Sequence, residues 1–174
     1  IISAGAITPL VALLRSSDME VQPNAALALG NLACGSDERQ ASIASAGAIA
    51  PLVALLRSSD TEVQASAAGA LANLSISSDE HKDSIISAGA ITPLVALLRS
   101  SDTKAQAQAA YMLRYLANDS DERQASIVSA GAIAPLVALL RSSDTEAQAW
   151  GAYALTNLAG GSDAASIASA GAIK

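Results

Sequence analysis

Apolar and polar residues alternate along this chain with a long fixed period. The run PLVALLRSSD occurs unchanged four times at a step of 42 residues, beginning at Pro9, Pro51, Pro93 and Pro135. Self-similarity at such a period predicts a solenoid, in which each repeat buries its apolar face against its neighbours. The predicted units are about 5–46, 47–88, 89–130 and 131–170, within a single domain covering 1–174 and with partial units at both ends.

Start and stop residues predict three helices in each unit. Helix 1 follows the serine of GSDERQ or DSDERQ and ends at SAG, where glycine can adopt the left-handed conformation. Helix 2 has a proline in its first turn and ends at an arginine, which favours the negative helix end. Helix 3 begins at SDTE, where Ser59 and Glu62 can form a capping box; Lys104 replaces this glutamate in the third copy. Pro23 is expected to remove one backbone hydrogen bond or to bend the start of the first helix 3.

The ends of helices 2 and 3 carry a family resemblance. Helix 2 opens with GAIxPLVxLL, and helix 3 closes with LALGNLA (Leu27–Ala33), GALANLS (Gly69–Ser75) or YALTNLA (Tyr153–Ala159). Over essentially the whole chain this pattern resembles the armadillo repeat family. HEAT repeats have two helices per unit and tetratricopeptide units are shorter, so both fit less well. The resemblance implies an all-α, right-handed superhelical solenoid whose third helices line a concave groove.

The third helices have one face that is constant among the copies and one that varies. The constant columns are Gln22, Gln64, Gln106 and Gln148; Ala26, Ala68, Ala110 and Ala152; Leu29, Leu71, Leu113 and Leu155; and Leu32, Leu74, Leu116 and Leu158. At about 100° per residue, the variable columns that begin at Asn24, Leu27 and Asn31 lie at about 0°, 300° and 340°. The Leu29 and Ala26 columns lie at about 140° and 200°. The constant face is therefore predicted to be buried and the variable face to line the groove.

All aromatic residues of the chain lie on the variable face of two consecutive third helices. They are Tyr111, Tyr115, Trp150 and Tyr153, and the chain has no phenylalanine. Rings supply a large contact area with little rotamer entropy and dominate interface hot spots, so we predict a binding patch here, with Gln108 on the same face. Alternatively, the rings stack on one another and cover alanine surface. Arg114 is expected either over the Tyr111 ring or in solvent.

The resemblance also implies a ladder of asparagines that holds the main chain of an extended peptide. Its members are Asn31, Asn73 and Asn157, whose amides offer a donor and an acceptor together. Tyr115 takes this place in the third copy. The tryptophan that precedes each asparagine in nuclear-import receptors is replaced by Leu27, Gly69, Tyr111 and Tyr153. This departure weakens recognition of import signals and leaves sequence-tolerant binding of a peptide or protein segment.

Composition and charge exclude several other partners. The net charge of −6 and the pI near 4.6 disfavour nucleic acid, which requires clustered basic residues. The longest apolar run, Ala130–Leu140, is interrupted by Pro135 and is too short to span a membrane. The first residues do not resemble a signal peptide. A natural protein of this sequence is expected in the cytoplasm or the nucleus.

No group of residues has the pattern of a catalytic or metal site. The acidic stretch Asn118–Glu122 lacks the ligand spacing of an EF-hand and is expected to be a solvated turn. His81 has no second ligand at metal spacing and is expected to be an exposed residue of helix 1. Cys34, the single cysteine, has no base close to it in the sequence. The chain is therefore predicted to be non-enzymatic and to need neither a metal nor a cofactor.

The functional prediction is a binding module that holds an extended peptide in the groove of its third helices. The sequence begins within one helix 1 and ends just after another, so its ends are expected to expose matching apolar faces that permit head-to-tail self-association, unless longer termini exist. The near identity of the repeats fits either recent duplication or an engineered, consensus-like protein. The alternative is an engineered or fragmentary scaffold that has no ligand of its own and associates head to tail.

Overall fold

The computed structural model describes residues 5–18 and 20–160, and within them it contains helices and no strands. The helices are α1 (Ile7–Leu13), α2 (Val21–Ala33), α3 (Asp37–Ser45), α4 (Ile49–Leu55), α5 (Thr61–Ser75), α6 (Asp79–Ser87), α7 (Ile91–Leu97), α8 (Thr103–Leu116), α9 (Asp121–Ser129), α10 (Ile133–Leu139) and α11 (Thr145–Ala159). They follow the predicted order of helices 1, 2 and 3, so the all-α repeat fold is confirmed. None of the described helices is both long and apolar enough to cross a bilayer.

The chain divides into two compact units, Ile1–Ala90 and Ile91–Lys174. In the first unit α2 packs along α5, while α1 and α4 pack against α2 and α5 respectively. In the second unit α8 packs along α11, with α7 against α8 and α10 against α11. Leucines fill both cores, among them the fully buried Leu71 and Leu113.

Small residues let neighbouring helices approach closely: α2 and α5 in the first unit, and α11 and α10 in the second. A Cβ added to Gly30 of α2 would lie 3.1 Å from the Cα of Ala70 in α5. In the second unit, a Cβ at Gly151 of α11 would lie 3.0 Å from the Cβ of Leu139. The alanine-rich composition of the chain therefore corresponds to helices in near-backbone contact.

Both ends of helix 1 agree with the sequence prediction. The hydroxyl oxygens of the predicted N-cap serines accept a hydrogen bond from the backbone N–H three residues later. These serines are Ser36, Ser78 and Ser120. The glycines that follow helix 1, Gly47, Gly89 and Gly131, have φ angles of 79°, 84° and 81°. These angles lie in the left-handed region, which glycine adopts without steric cost.

The predicted capping box of helix 3 is wrong. The N-cap residues are Asp60, Asp102 and Asp144, one position after the predicted serine. The carboxylate of Asp60 accepts from the backbone N–H groups of Glu62 at 2.8 Å and Val63 at 3.3 Å. The aspartate has the advantage because its negative charge also favours the positive end of the helix.

Pro23 is accommodated by a late start of its helix. Helix α2 begins at Val21 and has 13 residues, whereas α5 has 15. Pro23 is consequently the third helical residue, where a backbone N–H has no partner within the helix. The expected loss of a hydrogen bond is avoided, and the helix is shortened at its start instead.

The constant glutamines were predicted to lie on the buried face, but they are only half-buried. Their amides donate to backbone carbonyls at the end of helix 2 or in the turn that follows it: Gln64 Nε2 lies 3.2 Å from Leu56 O, and Gln148 Nε2 lies 2.6 Å from Ser142 O. They are constant because each joins helix 3 to the preceding helix 2, whose last carbonyls lack partners within the helix.

Two apolar members of the constant columns also depart from the prediction. Ala152 is exposed and Leu32 is half-buried, whereas the other constant alanines and leucines are buried. Ala152 lies on the last described helix and Leu32 on the first of the third helices. Burial in a repeat fold depends on the neighbouring repeat, and among the described residues each of these two helices has a neighbouring third helix on one side alone.

The arginine that ends helix 2 joins consecutive repeats within each unit. Arg57 donates from Nη2 to the carbonyl of Gly89 at 3.0 Å and from Nη1 to that of Val53 at 3.5 Å. In the second unit Arg99 makes the corresponding bonds to Val95 O at 3.3 Å and Gly131 O at 3.5 Å. The predicted preference of these arginines for the carbonyl end of helix 2 is confirmed.

The two candidate caps of α5 can be separated by substitution. Asp60→Ala should lower the free energy of unfolding by about 1 kcal/mol, because two backbone N–H groups lose their acceptor. Ser59→Ala, the matched control, should leave stability unchanged since Ser59 is exposed. Urea denaturation followed by circular dichroism measures both. A larger loss from Ser59→Ala than from Asp60→Ala would contradict the cap assignment.

Candidate functional site

The second unit brings all four aromatic residues of the chain together on one surface. Tyr111 and Tyr115 lie on α8, and Trp150 and Tyr153 lie on α11; we call these four residues the aromatic cluster. The ring centroids of Tyr111 and Trp150 are 4.5 Å apart. Tyr111 meets Tyr115 at 5.0 Å in an edge-to-face arrangement, and Trp150 lies 5.8 Å from Tyr153. These spacings are typical of favourable aromatic pairs.

The cluster lies outside the apolar core. Tyr153 is 53% exposed, and the other three rings are half-buried. On the same helices the constant residues Leu113 and Ala110 are fully buried. The rings thus occupy the variable face, as predicted, and they also pack on one another, as the alternative interpretation proposed.

Two hydrogen bonds orient the rings. The indole N–H of Trp150 donates to Glu146 Oε1 at 3.3 Å, one turn earlier on α11. The hydroxyl of Tyr111 lies 3.5 Å from that of Tyr115, which extends the contact between these rings. Each ring therefore has a neighbour that restricts its rotation, and the surface is partly organised without a ligand.

Arg114 lies in the middle of this surface. Its guanidinium carbon is 4.9 Å from the ring centroid of Tyr115, 5.2 Å from that of Tyr153 and 5.6 Å from that of Trp150. All three distances are within the range of a cation–π interaction. The sequence placed Arg114 over Tyr111 or in solvent. It instead extends toward α11, where two ring faces from the neighbouring repeat are available.

Two of the three ladder asparagines are already hydrogen-bonded to a neighbouring helix. Asn157 Nδ2 donates to the backbone carbonyl of Arg114 at 2.9 Å, and in the first unit Asn73 Nδ2 donates to that of Gly30 at 3.0 Å. Each bond joins a third helix to the previous one, 43 residues earlier. Sequence reasoning missed these bonds because a single-helix projection does not show which carbonyls of the neighbouring helix are within reach.

The remaining predicted site residues lie apart from these contacts or replace them. Asn31 is exposed on α2, and Gln108 is half-buried on α8, three residues before Tyr111. Tyr115, which stands in the ladder position of the third copy, contributes its ring to the aromatic cluster. The predicted ligand residues that make contacts therefore form two groups. One is the asparagine in each compact unit that is bonded to the neighbouring third helix, and the other is the aromatic cluster, which lies in the second unit alone.

His81 is not the exposed residue that the sequence predicts. It is half-buried, and its Nδ1 lies 2.8 Å from the carbonyl of Leu74 at the end of α5. Arginines do the same work in the other copies: Arg123 Nε donates to Leu116 O at 3.1 Å, and Arg39 Nε to Leu32 O at 2.5 Å. His81 is thus a structural donor that satisfies a helix-end carbonyl.

The acidic turn after α8 borders a polar cavity of about 330 Å³. The lining residues are Ala117, Asn118, Asp119, Ser120, Asp121, Gln124, Thr156, Asn157 and Gly160. Asp119 adopts a φ of 56°, the left-handed region that Asp tolerates in turns. In the part of the chain that the structure describes, no three His, Cys, Asp or Glu residues are grouped so that they could hold a metal ion.

A family model described as armadillo/beta-catenin-like repeat matches residues 1–34, 36–76 and 78–118. The chain belongs to the armadillo repeat family. A search of curated proteins found no match. Solved structures that resemble this armadillo chain include engineered proteins.

An engineered protein of the Northeast Structural Genomics Consortium is 43% identical, with a TM-score of 0.90 over 95% of this chain and 68% of the other. A designed armadillo repeat protein is 31% identical, with a TM-score of 0.89 over 95% of this chain and 71% of the other. A second designed armadillo repeat protein, solved in complex with the peptide (KR)4, is 34% identical. Its TM-score is 0.87, and the match covers 97% of this chain and 71% of the other.

The contact of Arg114 with the rings can be measured through the single tryptophan. Arg114→Ala should lower the stability of the second unit by about 1 kcal/mol and shift the emission of Trp150, because the indole loses the cation over its face. Lys104→Ala removes the same charge from an exposed position on α8 and is the control. Identical emission spectra for the two variants would show that Arg114 does not lie against the rings.

Proposed function

We propose that this armadillo repeat scaffold binds an extended peptide on the α8–α11 surface of its second unit. The observation that carries the proposal is the position of Asn157. Its Nδ2 is bound to the carbonyl of Arg114, and the residue lies one turn after Tyr153 on α11. The side chain is therefore fixed next to the aromatic cluster, and no other hydrogen bond of its Oδ1 or its second N–H is found among the described residues.

An amide held in this way suits the main chain of an extended peptide. A peptide unit in the extended conformation has an N–H and a C=O that no intrachain bond satisfies. Asn157 can accept from that N–H through Oδ1 and donate its second N–H to a carbonyl. Because neither bond depends on the ligand's side chains, such recognition tolerates different sequences.

The aromatic cluster supplies the contact area that main-chain bonds alone do not. Alternate side chains of an extended peptide point to the same side at a spacing of roughly 7 Å. The cluster presents several partly exposed faces over a similar span, since its neighbouring centroids are 4.5 to 5.8 Å apart. Apolar side chains and the aliphatic parts of long side chains can pack on such faces, in the manner of interface hot spots.

The first unit offers the same main-chain contact without the rings. Asn73 is held by the carbonyl of Gly30, as Asn157 is held by Arg114. The residue four positions before Asn73 is Gly69, so no ring lies beside the amide. Leu27 on α2 is 54% exposed and adds only an aliphatic surface. Peptide affinity should therefore reside mostly in the second unit.

A scaffold without its own ligand is the second candidate. The rings pack on one another and on Arg114, so part of their surface is covered without any partner. The structures to which the chain is similar include engineered proteins, which favours an engineered origin.

Head-to-tail association of its ends stays a prediction, because residues 1–4 and 161–174 lie outside the described residues. Light scattering over a concentration series tests it: a constant monomer mass would exclude such association.

Peptide-display selection followed by titration of Trp150 fluorescence tests the peptide proposal. Selected peptides should change the Trp150 emission, and Asn157→Ala should weaken their binding about tenfold, corresponding to about 1.4 kcal/mol. Asn31→Ala should have little effect, because Asn31 is exposed in the first unit. Circular dichroism checks that the variants are folded. Selection of no peptide that perturbs Trp150, or full affinity in Asn157→Ala, would favour the scaffold without a ligand.

A further inference from the structure

The guanidinium of Arg114 lies against three aromatic rings. Rings from two helices lie 4.9 to 5.6 Å from its central carbon. A cation–π contact is an attraction between the positive charge and the ring, so it uses none of the five N–H donors of the guanidinium. An arginine held against rings in this way can still direct N–H donors toward an acceptor.

These donors have no acceptor within the described part of the chain. The ion pair found there joins Lys82 and Asp79 in the first unit, and no side-chain hydrogen bond of Arg114 is found among the described residues. By contrast, Arg123 donates to the carbonyls of Leu116 and Asn118 at 3.1 and 3.0 Å. Arg114 is also half-buried, so its donors have lost part of their hydration. Donors in this state favour an incoming acceptor, and most strongly an anionic one.

From this geometry we propose that Arg114 forms a carboxylate-binding subsite, which selects an acidic side chain at one position of the bound peptide. The proposal rests on the peptide-binding function proposed above and specifies the chemistry of its ligand. A carboxylate matches the fork of N–H groups and can accept two of them at once. The rings hold the fork in place, so little side-chain entropy remains to be lost on binding.

A basic ligand side chain is disfavoured at the same position. The chain's own cation already lies over the rings of Tyr115, Trp150 and Tyr153. A ligand lysine would have to displace Arg114 or lie beside a like charge. The acidic residue of α11 is Glu146, and its carboxylate accepts the indole N–H of Trp150. The peptide (KR)4 bound by the designed relative therefore does not fit the chemistry of this subsite.

The carboxylate should come from a side chain rather than from a peptide's C-terminus. Asn157 is bound to the backbone carbonyl of Arg114 itself, so the main-chain contact and the guanidinium lie at the same residue. A peptide that passes over Asn157 continues in both directions, and a side chain next to this contact can reach the guanidinium. A terminal carboxylate would end the chain before the remaining rings are covered.

Titration of Trp150 fluorescence with matched peptides tests the proposal. The probes are acetylated, amidated peptides of alternating Leu and Ser that differ in one central residue, Glu, Gln or Lys. The Glu peptide should bind about fivefold more tightly than the Gln peptide, the Lys peptide should bind most weakly, and added salt should narrow the difference. Arg114→Gln should abolish the preference for Glu while the Gln peptide still binds. Arg114→Lys should retain part of it, because a lysine keeps the charge but not the fork.

The control Lys104→Gln changes the charge of α8 by the same amount at an exposed position and should leave the preference intact. A Gln peptide with a free C-terminus separates the sources of the carboxylate: tighter binding than its amidated form, equal to the Glu peptide, would overturn the side-chain assignment. Equal binding of the three central residues, or tightest binding by Lys, would overturn the subsite while the peptide surface stands. If none of these peptides binds but display-selected peptides do, the subsite again fails alone; if neither class binds, both proposals fail.

Discussion

The close approach of neighbouring third helices is the constraint on which the rest of this structure depends. Where Gly30 meets Ala70 an additional Cβ would lie only 3.1 Å from the Cα of Ala70, so the helices contact each other almost through their backbones. At this separation an asparagine amide can reach a carbonyl of the adjacent helix, as Asn73 and Asn157 do. Large side chains cannot enter the contact and must lie on the outer face. In the second unit this exclusion brings together rings from α8 and α11.

Several polar side chains at the surface form hydrogen bonds that connect one helix to another. Gln64 holds the end of α4 to α5, and Arg57 holds the same region to Gly89 of the next repeat. His81 and Arg123 donate hydrogen bonds to backbone carbonyls at the ends of the helices that precede them. Short helices leave many carbonyls without partners, and each would lower stability if it were buried unsatisfied. The constant polar positions of the repeat are therefore as structural as its leucines.

Much of the fold was predictable from local pattern, and much of the site was not. The serine caps and glycine ends of helix 1 follow from one residue's chemistry and its own backbone, so they were predicted correctly. The choice of Asp60 over Ser59 depends on a shift of one residue in the helix start, which pattern does not resolve. The contacts of Arg114 and Asn157 depend on the distance between helices of different repeats. A projection of one helix carries the direction of a side chain but not its partner.

The two units show that the packed face of the repeat can stay the same while its exposed face changes. Both use the same leucine and alanine columns and the same asparagine contact to a preceding helix. They differ at a few variable positions, where Leu27 and Gly69 in the first unit correspond to Tyr111 and Tyr153 in the second. Because these positions lie outside the close helix contact, changing them alters the surface without disturbing the packing beneath it. An arginine among the added rings then turns an apolar patch into a charged one, so under the proposed function a residue that the core does not require would set the chemistry of the ligand.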